Sequence, residues 1–569
     1  MKIHAFAGAG KTTTLQLLAS CFRGKGLYLA FNRAIAEEAS KKFPTEIQCR
    51  TTHSLALRHM RQRAAFKNEK LFGDMRAKEL VDHMGLTDTV FGKAMKVSAT
   101  QKAAMVRNTV KAFCMSGDDN LQRDHLQIGN RVLRANSRVR GEVMDEVLRE
   151  VSLLWERMTD HADPTPLGHD GYLKLWSLDR PQIGADLILL DEAQDTNPAV
   201  LSVLQAQRNT KMVYVGDRHQ QIYEWRGAVN AMDLIETDEE VHLTRSFRFG
   251  PAIADLATRV LRCLGEERAV IGNPSIDSQV LTAGDAEAHL CRTNTEVFKQ
   301  ALEGLEQGRP YHIVGNLSEL ELLVGDVFSL QKGQPGSHPQ HFGFSSWREV
   351  QEFAKSEEGE DLLPFVNLVE QHGPGALWKA LKLREDHPGP DVLTVSTTHR
   401  GKGCEWGSVR VENDFSGSIS KDSPIADEER RLFYVAVTRA REKLVVHPTL
   451  VRAFTTVQPL EGGASGPYTL DEVVVRPQPR PTNTTGQETQ VIPYRAPLAS
   501  NRKSSPRSSL SAYSMGGTES RVAEPAAPST SELQNHGNKP AESSGTAPGT
   551  PEPEDKPSTG FLRRMLFRK

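Results

Sequence analysis

The chain of 569 residues has few cysteines and no long apolar stretch. Its six cysteines are scattered, with no CxxC pair and no histidines at ligand spacing, so neither a disulfide framework nor a structural zinc site is predicted. No apolar run approaches the roughly 20 residues that cross a bilayer, and the N-terminus lacks the pattern of a signal peptide. These absences predict a reducing compartment: the cytoplasm, in association with the nucleoid, or the nucleus if the source is eukaryotic.

The chain also lacks an excess of charge of either sign, since its formal net charge is −2. Binding to nucleic acid would therefore depend on local patches rather than on the overall charge. The length exceeds what one hydrophobic core supports, and the hydrophobic content of 38% is that of a globular protein. Several domains are expected.

Strands and helices alternate in two parts of the chain, a pattern typical of parallel sheets with crossover helices. The pattern predicts an α/β fold with two parallel-sheet domains, each interrupted by a helical insertion. The predicted limits are 1–55 and 185–243 for the first domain, 56–184 for its insertion, 244–326 and 391–454 for the second domain, and 327–390 for its smaller insertion.

The last part of the chain, residues 455–569, is mostly rich in Ser, Pro, Gly, Thr and Glu. This composition predicts a disordered tail. The chain ends GFLRRMLFRK, which fits a frayed end as well as a short docking peptide for a protein partner or a membrane surface.

The segment AFAGAGKT, residues 5–12, follows a short apolar strand and precedes a helix expected to begin at Thr13. Its glycines let backbone amides close around phosphate oxygens, Lys11 reaches the β- and γ-phosphates, and Thr12 offers a ligand to magnesium. Ala5 replaces the first glycine of the usual pattern, but the strand, turn and helix context remains. The segment predicts a site for ATP and Mg²⁺ formed by Ala7, Gly8, Ala9, Gly10, Lys11, Thr12 and Thr13.

A second acidic motif follows the apolar strand in DLILLDEAQD, residues 186–195. Ligands of open α/β sheets bind at the carboxyl ends of the strands, where Asp191 and Glu192 are expected to project. Asp191 would hold magnesium, and Glu192 would activate the attacking water as a general base. Gln220 would sense the γ-phosphate.

Two arginines are candidates for stabilising transition-state charge, Arg248 in SFRFG and Arg439 in VAVTRA. Each alone fits a surface position as well as a catalytic one. The helix before Arg439 is expected to have Asp427 as its N-cap. Arginines donated by a second domain would couple hydrolysis to domain closure.

The run VYVGDRHQQIYEWRGA, residues 213–228, places two aromatic side chains just after Gln220. Tyr223 and Trp225 could stack on unpaired bases, which is worth roughly 1–3 kcal/mol per base. The alternative is an ordinary strand, turn and helix with two core aromatics.

Eight motifs together resemble superfamily 1 helicases of the UvrD/Rep type. They occur in that family's order: AGAGKTTTL, AFNRAIAEEA, TTHSLA, LLDEAQD, VGDRHQQIYEWRGA, SFRFG, VSTTHRGKGCEW and EERRLFYVAVTRARE. The resemblance covers about residues 1–450. It implies that both sheets belong to RecA-like P-loop domains, which step along single-stranded DNA in the 3′ to 5′ direction.

The resemblance also implies individual residue roles. Phe247 would stack on adenine, Arg248 would touch the γ-phosphate, and Glu405 would bind the ribose, with Lys402 and Gly403 fixing its loop. Arg226 would link the stacking pair Tyr223 and Trp225 to the nucleotide. The positions implied to contact the DNA backbone are Asn32, His53, Ser54, Thr397 and His399.

Three departures from the family pattern affect these expectations. Only Met1 to His4 precede the phosphate loop, where the family usually has a glutamine motif that reads adenine. Thr52 replaces the aromatic usually found before His53, and the second insertion is small. Translocation is therefore expected more firmly than strand separation.

The sequence predicts an ATP-dependent DNA helicase or translocase that acts in recombination or DNA repair. Its expected partners are single-stranded DNA and DNA junctions, with the tail as a docking site for protein, and a monomer is expected. Two alternatives stay open. One is a translocase that strips recombinase filaments with little unwinding, and the other is a nucleotide-gated scaffold.

Overall fold

The structure is a computed structural model. It describes residues 1–456, except for 64, 65, 67, 76, 94, 134, 223–229, 335, 337, 342, 343, 345 and 420–423. The predicted tail therefore lies almost wholly outside the described residues.

The first sheet has six parallel strands in the order β3-β2-β6-β7-β1-β8. These strands are β1 (Lys2–Ala5), β2 (Gly26–Ala30), β3 (Ile47–Thr51), β6 (Leu187–Leu190), β7 (Lys211–Gly216) and β8 (Glu240–Leu243). The central strand β6 reads LILL and is buried throughout, as expected where helices cover both faces of a parallel sheet. The helices associated with this sheet are α1 (Lys11–Cys21), α2 (Arg33–Ser40), α10 (Pro198–Gln205) and α11 (Ala231–Leu234).

The second sheet also has six parallel strands, in the order β11-β12-β10-β13-β14-β9. The strands are β9 (Gln279–Leu281), β10 (Ala288–Cys291), β11 (Tyr311–Ile313), β12 (Leu393–Thr397), β13 (Trp406–Val411) and β14 (Ala440–Val446). Its helices include α12 (Pro251–Cys263), α13 (Asn294–Gln307), α17 (Asp427–Val437) and α18 (Pro448–Thr455). The prediction of two parallel-sheet α/β domains is confirmed.

A largely helical segment separates β3 from β6. It contains α3 (Thr52–Arg63), α4 (Asn68–Phe72), α5 (Ala77–Met84), α6 (Ala99–Met115), α7 (Asn130–Leu133), α8 (Ser137–Thr159) and α9 (Gly168–Asp179). In α8 the valines recur every four residues from Val139 to Val151 and are buried, so one face of this long helix forms a core. A helical insertion was predicted here, and within the helical segment β4 (Thr89–Phe91) and β5 (Met95–Val97) pair as an antiparallel hairpin.

The helices α14 (Ser318–Gln331), α15 (Trp347–Ala354) and α16 (Leu363–Lys382) lie between β11 and β12. Their apolar side chains share one core with the sheet, since Leu323 and Leu377 belong to the same buried cluster as Val395. The predicted boundary at residue 327 falls inside α14, so a separate insertion beginning there would divide one helix. Among the described residues, no helix is long and apolar enough to span a membrane.

Candidate active site

The phosphate loop joins β1 to α1. Gly8 and Gly10 adopt positive φ angles of 71° and 80°, a conformation that favours glycine. A Cβ on Gly8 would lie 2.5 Å from Ser246 Oγ and 2.6 Å from Arg248 Cβ, so the loop closely contacts the segment after β8. The helix begins at Lys11, two residues before the predicted start. Lys11 and Thr12 therefore belong to its first turn, where backbone N–H groups are free to meet phosphate.

The acidic motif after β6 faces this turn. Thr12 Oγ1 donates to Asp191 Oδ2 over 3.0 Å, and Tyr28 Oη donates to the same oxygen over 2.7 Å. Lys11 Nζ lies 3.1 Å from Glu192 Oε1. The structure thus brings together the two halves of the predicted nucleotide site.

Burial and charge act differently on the two acids. Burial, reinforced by the charge of Glu192, raises the pKa of Asp191. Burial acts in the same direction on Glu192, but Lys11 and Lys402 outweigh it and lower the pKa of Glu192 to about 2. The pKa of Lys11 is raised, because Glu192, Asp217 and Asp191 outweigh the effect of its own burial. Glu192 is therefore held as a carboxylate, the form that a general base requires.

Glu192 also has an unusual backbone conformation. Its φ of 51° and ψ of 43° are left-handed, which costs a residue with a Cβ on the order of 1–3 kcal/mol. Gln194 Nε2 donates to Glu192 Oε2 over 2.6 Å and thereby fixes the carboxylate. Such strain is retained where the surrounding structure determines the conformation.

Gln220 lies in a 3₁₀ turn after β7 and is 4% exposed. Its Nε2 donates to Asp217 Oδ2 over 2.7 Å, and its Oε1 accepts from Arg439 Nη2 over 3.4 Å. Tyr434 Oη donates to the same Asp217 oxygen over 3.0 Å and accepts from the Ala7 amide over 3.1 Å. A polar chain thus runs from the phosphate loop through α17 to the predicted sensor glutamine.

Lys402 makes a second connection between the segments of the two sheets. Its Nζ lies 2.5 Å from Asp195 Oδ2 and donates to the Gln220 carbonyl over 2.6 Å. Burial raises the pKa of Asp195 to about 6, although Lys402 acts in the opposite direction. We define Lys402, Asp195 and the Gln220 carbonyl as the interdomain latch.

Arg439 is 1% exposed and lies two residues beyond the end of α17. Its Nε donates to the Val435 carbonyl over 3.0 Å. Burial, together with the neighbouring charge of Arg248, lowers the pKa of Arg439 to about 9. The side chain is therefore buried at the nucleotide site, which answers the question that the sequence left open.

The cap predicted for the helix before Arg439 was wrong. Ala426 is the N-cap and Asp427 is the first helical residue. Asp427, Glu428 and Glu429 then all lie in the first turn, where acidic side chains complement the helix dipole.

Arg248 and Phe247 follow β8, next to the phosphate loop. Arg248 Nε donates to Glu405 Oε2 over 2.7 Å, and its Nη1 donates to the Thr438 carbonyl over 3.2 Å. The Phe247 ring is 63% exposed and would lie 3.8 Å from a Cβ on Gly10. An exposed aromatic face is thus present beside the phosphate loop. Arg248 connects this segment to Glu405. Gly403, two residues before Glu405, has a φ of 92°.

The residues implied to contact DNA follow the carboxyl ends of strands in both sheets. Asn32, after β2, is exposed and caps α2 by accepting from the Ile35 amide over 2.9 Å. Ser54 Oγ donates to the Thr51 carbonyl over 2.8 Å at the end of β3. His53 lies beside it, and burial lowers its pKa.

In the second sheet, Thr397 ends β12 and is 6% exposed. His399 follows it, and burial with the nearby Arg292 charge lowers its pKa to about 4. Neutral imidazole is then the form present at ordinary pH. Tyr223, Trp225 and Arg226 lie outside the described residues, so their roles stay predictions.

Sequence reasoning missed Asp217, Tyr434 and Asp195, which connect the predicted residues to one another. Asp217 directly follows β7, where an acidic residue can be noticed, and Asp195 ends the 3₁₀ turn after β6. Nothing in the local sequence around Tyr434 indicates that its hydroxyl contacts the phosphate loop.

Two parallel sheets, a phosphate loop on the first, and Arg439, which precedes β14 of the second and contacts Gln220 after β7 of the first, define a two-domain P-loop protein. Residues 1–239 match the UvrD/REP helicase N-terminal domain, and residues 344–449 match the UvrD-like helicase C-terminal domain. The chain belongs to the family of UvrD-like helicases.

The chain is similar to F-box DNA helicase protein 1 of Schizosaccharomyces pombe, with 30% identity over 517 residues, 83% of this chain and 58% of that protein. It is also 30% identical over 500 residues to F-box DNA helicase 1 of Gallus gallus, covering 79% of this chain and 47% of that protein. ATP-dependent DNA helicase UvrD2 of Mycobacterium tuberculosis is 24% identical over 336 residues, 47% of each chain. The chain thus spans about half the length of the curated relatives it matches. A solved complex of the Arterivirus nonstructural protein 10 helicase with DNA aligns with 78% of this chain and 60% of that chain, at 10% identity and a TM-score of 0.29.

Proposed function

We propose that the chain is an ATP-dependent DNA helicase or translocase that moves on single-stranded DNA. The observation that carries the proposal is the contact of Arg439 and Lys402, from segments of the second sheet, with Gln220 after β7 of the first sheet. A nucleotide bound there would contact groups belonging to both sheets. Its hydrolysis would change the contact between the two domains and so produce motion.

The nucleotide chemistry follows from the residues around the loop. Lys11 would contact the β- and γ-phosphates, and Glu192 would orient and deprotonate the attacking water. Thr12 Oγ1 and Asp191 Oδ2 lie 3.0 Å apart beside the phosphate loop, and such hard oxygen ligands fit Mg²⁺. Magnesium bound by these two residues would neutralise phosphate charge.

The remaining groups would respond to the γ-phosphate. Gln220 would exchange its contact with Arg439 for one with the phosphate, and Arg248 and Arg439 would stabilise charge as the bond to the γ-phosphate breaks. Because Arg248 is paired with Glu405 and Arg439 is buried, both side chains are positioned before the nucleotide arrives.

The proposed DNA contacts are Asn32, His53 and Ser54 on the first sheet and Thr397 and His399 on the second. Their common position after carboxyl ends of strands supports this assignment. Tyr223, Trp225 and Arg226 are proposed from the sequence as the stacking pair and its link to the nucleotide. The two F-box relatives and UvrD2 are named DNA helicases, which supports DNA as the track.

We further propose 3′ to 5′ movement, a role in recombination or DNA repair, and action as a monomer on single strands and junctions. The domain limits predicted from the sequence are retained as proposals, except for the boundary at residue 327, which falls inside α14. The tail beyond residue 455 is proposed as the docking site for a protein partner, and the nucleus or the nucleoid as the location.

The decisive experiment measures ATP turnover by the full chain with and without single-stranded DNA. In parallel, a labelled strand is displaced from duplexes with a 3′ or a 5′ tail. We expect stimulation by DNA and displacement from the 3′-tailed duplex. Turnover that no nucleic acid stimulates would refute the motor, and displacement only from a 5′ tail would refute the polarity. Stimulation without displacement would indicate a translocase that does not unwind.

Phe247→Ala is expected to raise KM for ATP about tenfold, with little change in kcat. The reason is that base stacking on an exposed aromatic contributes roughly 1–3 kcal/mol to binding and is not altered during phosphoryl transfer. Steady-state kinetics give both constants. Hydrolysis of inorganic triphosphate, which has no base, serves as the control and should be unaffected. An unchanged KM for ATP would exclude adenine stacking on this ring.

The interdomain latch is expected to show energetic coupling in turnover. Lys402→Met and Asp195→Asn should each lower DNA-stimulated kcat, and the double variant should lose less than the product of the two effects. The expected coupling is about 1–3 kcal/mol, as for groups in one polar network. Lys382→Met with Glu321→Gln is the matched control, because that 2.7 Å pair is half exposed and should couple weakly. Independent effects of the two latch substitutions would contradict the prediction.

A further inference from the structure

The outer edge of the first sheet carries a cluster of histidines and acids that the proposed motor does not use. Strands β1 and β8 pair in parallel, with Lys2 opposite Glu240 and His4 opposite His242. Successive side chains of a strand point to opposite faces. These four side chains therefore share one face, while Ile3 on the other face belongs to the buried core.

Three of these residues bring ligand atoms together. Nitrogen or oxygen atoms of His4, Glu240 and His242 all lie within 4.8 Å of one another. His4 Nε2 and Glu240 Oε2 are 3.3 Å apart, and the two imidazole rings stack at 4.7 Å between centroids. Ligands at roughly 2.0–2.2 Å from a tetrahedral metal are about 3.4 Å apart, so small side-chain rotations would close the site.

We propose that His4, His242 and Glu240 form a site for one divalent transition-metal ion of the zinc(II) class. Two imidazoles and a carboxylate are ligands that suit zinc, cobalt and nickel rather than magnesium or calcium. Beside His4 and His242 is a cavity of about 10 Å³, lined also by His219 and Glu266, which is large enough for about one water molecule.

The charges around the cluster set its expected affinity. Lys2 Nζ lies 2.6 Å from Glu240 Oε1 and opposes a cation, but it is also held by the Met232 and Ile235 carbonyls. The positive charge of Arg268 near His242 also opposes a cation, whereas the negative charge of Glu266 favours one. A metal ion at this site must therefore bind despite repulsion by the fixed ammonium group of Lys2.

The two strands that carry the cluster lead into the proposed nucleotide site, so metal binding would affect that site. β1 leads directly into the phosphate loop, and β8 leads directly to Phe247 and Arg248. A metal that joins His4 to His242 would clamp the two segments that form the proposed nucleotide site. This consequence rests on the proposed function, but metal binding itself does not.

The test uses the full chain without an affinity tag, so that no added histidines bind metal. Zinc is titrated by calorimetry in the absence of nucleotide and DNA, and thermal unfolding is followed with and without zinc. The wild-type chain is expected to bind zinc at this site and to be stabilised by it, because a ligand that binds only the folded state raises its stability. His4→Gln and His242→Gln should each weaken that binding by about tenfold or more.

Two further variants make the outcome decisive. His161→Gln is the matched control, since His161 is 70% exposed and lies next to an acid outside the cluster. It should bind zinc as the wild type does. Lys2→Met should bind zinc more tightly, because it removes the opposing charge. Absence of zinc binding, or binding unchanged by both cluster substitutions, would overturn the proposal. Affinity unchanged in Lys2→Met would contradict a metal bound beside that ammonium group. A loss of motor activity in every variant leaves these binding results unaffected.

Discussion

Lys11→Ala is expected to lower ATP turnover by about 10³-fold or more, because it removes the cation at the transferred phosphate. The substitution also releases Glu192 from its 3.1 Å ion pair, so the general base would be displaced as well as the phosphate ligand. Turnover with saturating DNA and ATP measures the effect.

Lys42→Ala is the control for Lys11→Ala, since that lysine is exposed and pairs with Glu38 one helical turn away. It should hydrolyse ATP at the wild-type rate. Circular dichroism and thermal unfolding would show whether Lys11→Ala remains folded. A folded Lys11→Ala variant with turnover within tenfold of the wild type would refute the assigned phosphate loop.

Arg439→Lys is expected to lower kcat by about 10³-fold while ATP binding is largely retained. Arginines that stabilise phosphoryl transfer contribute about 10³ to 10⁵ in rate, and lysine cannot reproduce the planar set of donors. Retaining a positive charge limits damage to the buried position. Single-turnover kinetics and equilibrium nucleotide binding separate the two effects.

Arg452→Lys is the control for Arg439→Lys, because that arginine is exposed on α18. If kcat and nucleotide affinity fell together in Arg439→Lys, the side chain would serve the fold or binding rather than the transition state. A decrease in kcat alone would support its assignment to the chemical step.

The two sheets were predictable because several of their strands, such as β6, are short, apolar and buried. The phosphate loop and the acidic motif were predictable because each is continuous in sequence. Because the strands of a parallel sheet run in the same direction, the phosphate loop and the acidic motif, which follow the carboxyl ends of two strands, lie at the same edge of the sheet. The structure brings Lys11, Thr12, Asp191 and Glu192 together as expected from this rule.

The features that were missed depend on contacts between distant residues or on very short elements. The strands β4 and β5 have three residues each, too few for an alternating pattern to be recognised. The Tyr434 hydroxyl donates to Asp217, which is 217 residues away in sequence, and no local pattern predicts that contact. The buried position of Arg439 likewise depends on packing that follows only from the tertiary fold.

The hydroxyl of Tyr434 has a single proton, which gives the polar chain through it a fixed direction. That proton goes to Asp217, so the oxygen can only accept from the Ala7 amide. Removing the proton is disfavoured, because burial and the Asp217 charge hold the pKa of Tyr434 well above its ordinary value. The Ala7 amide, the Tyr434 hydroxyl and Asp217 therefore keep one order of donors and acceptors, and a displacement of α17 away from the loop would break the Tyr434 hydrogen bond to Ala7.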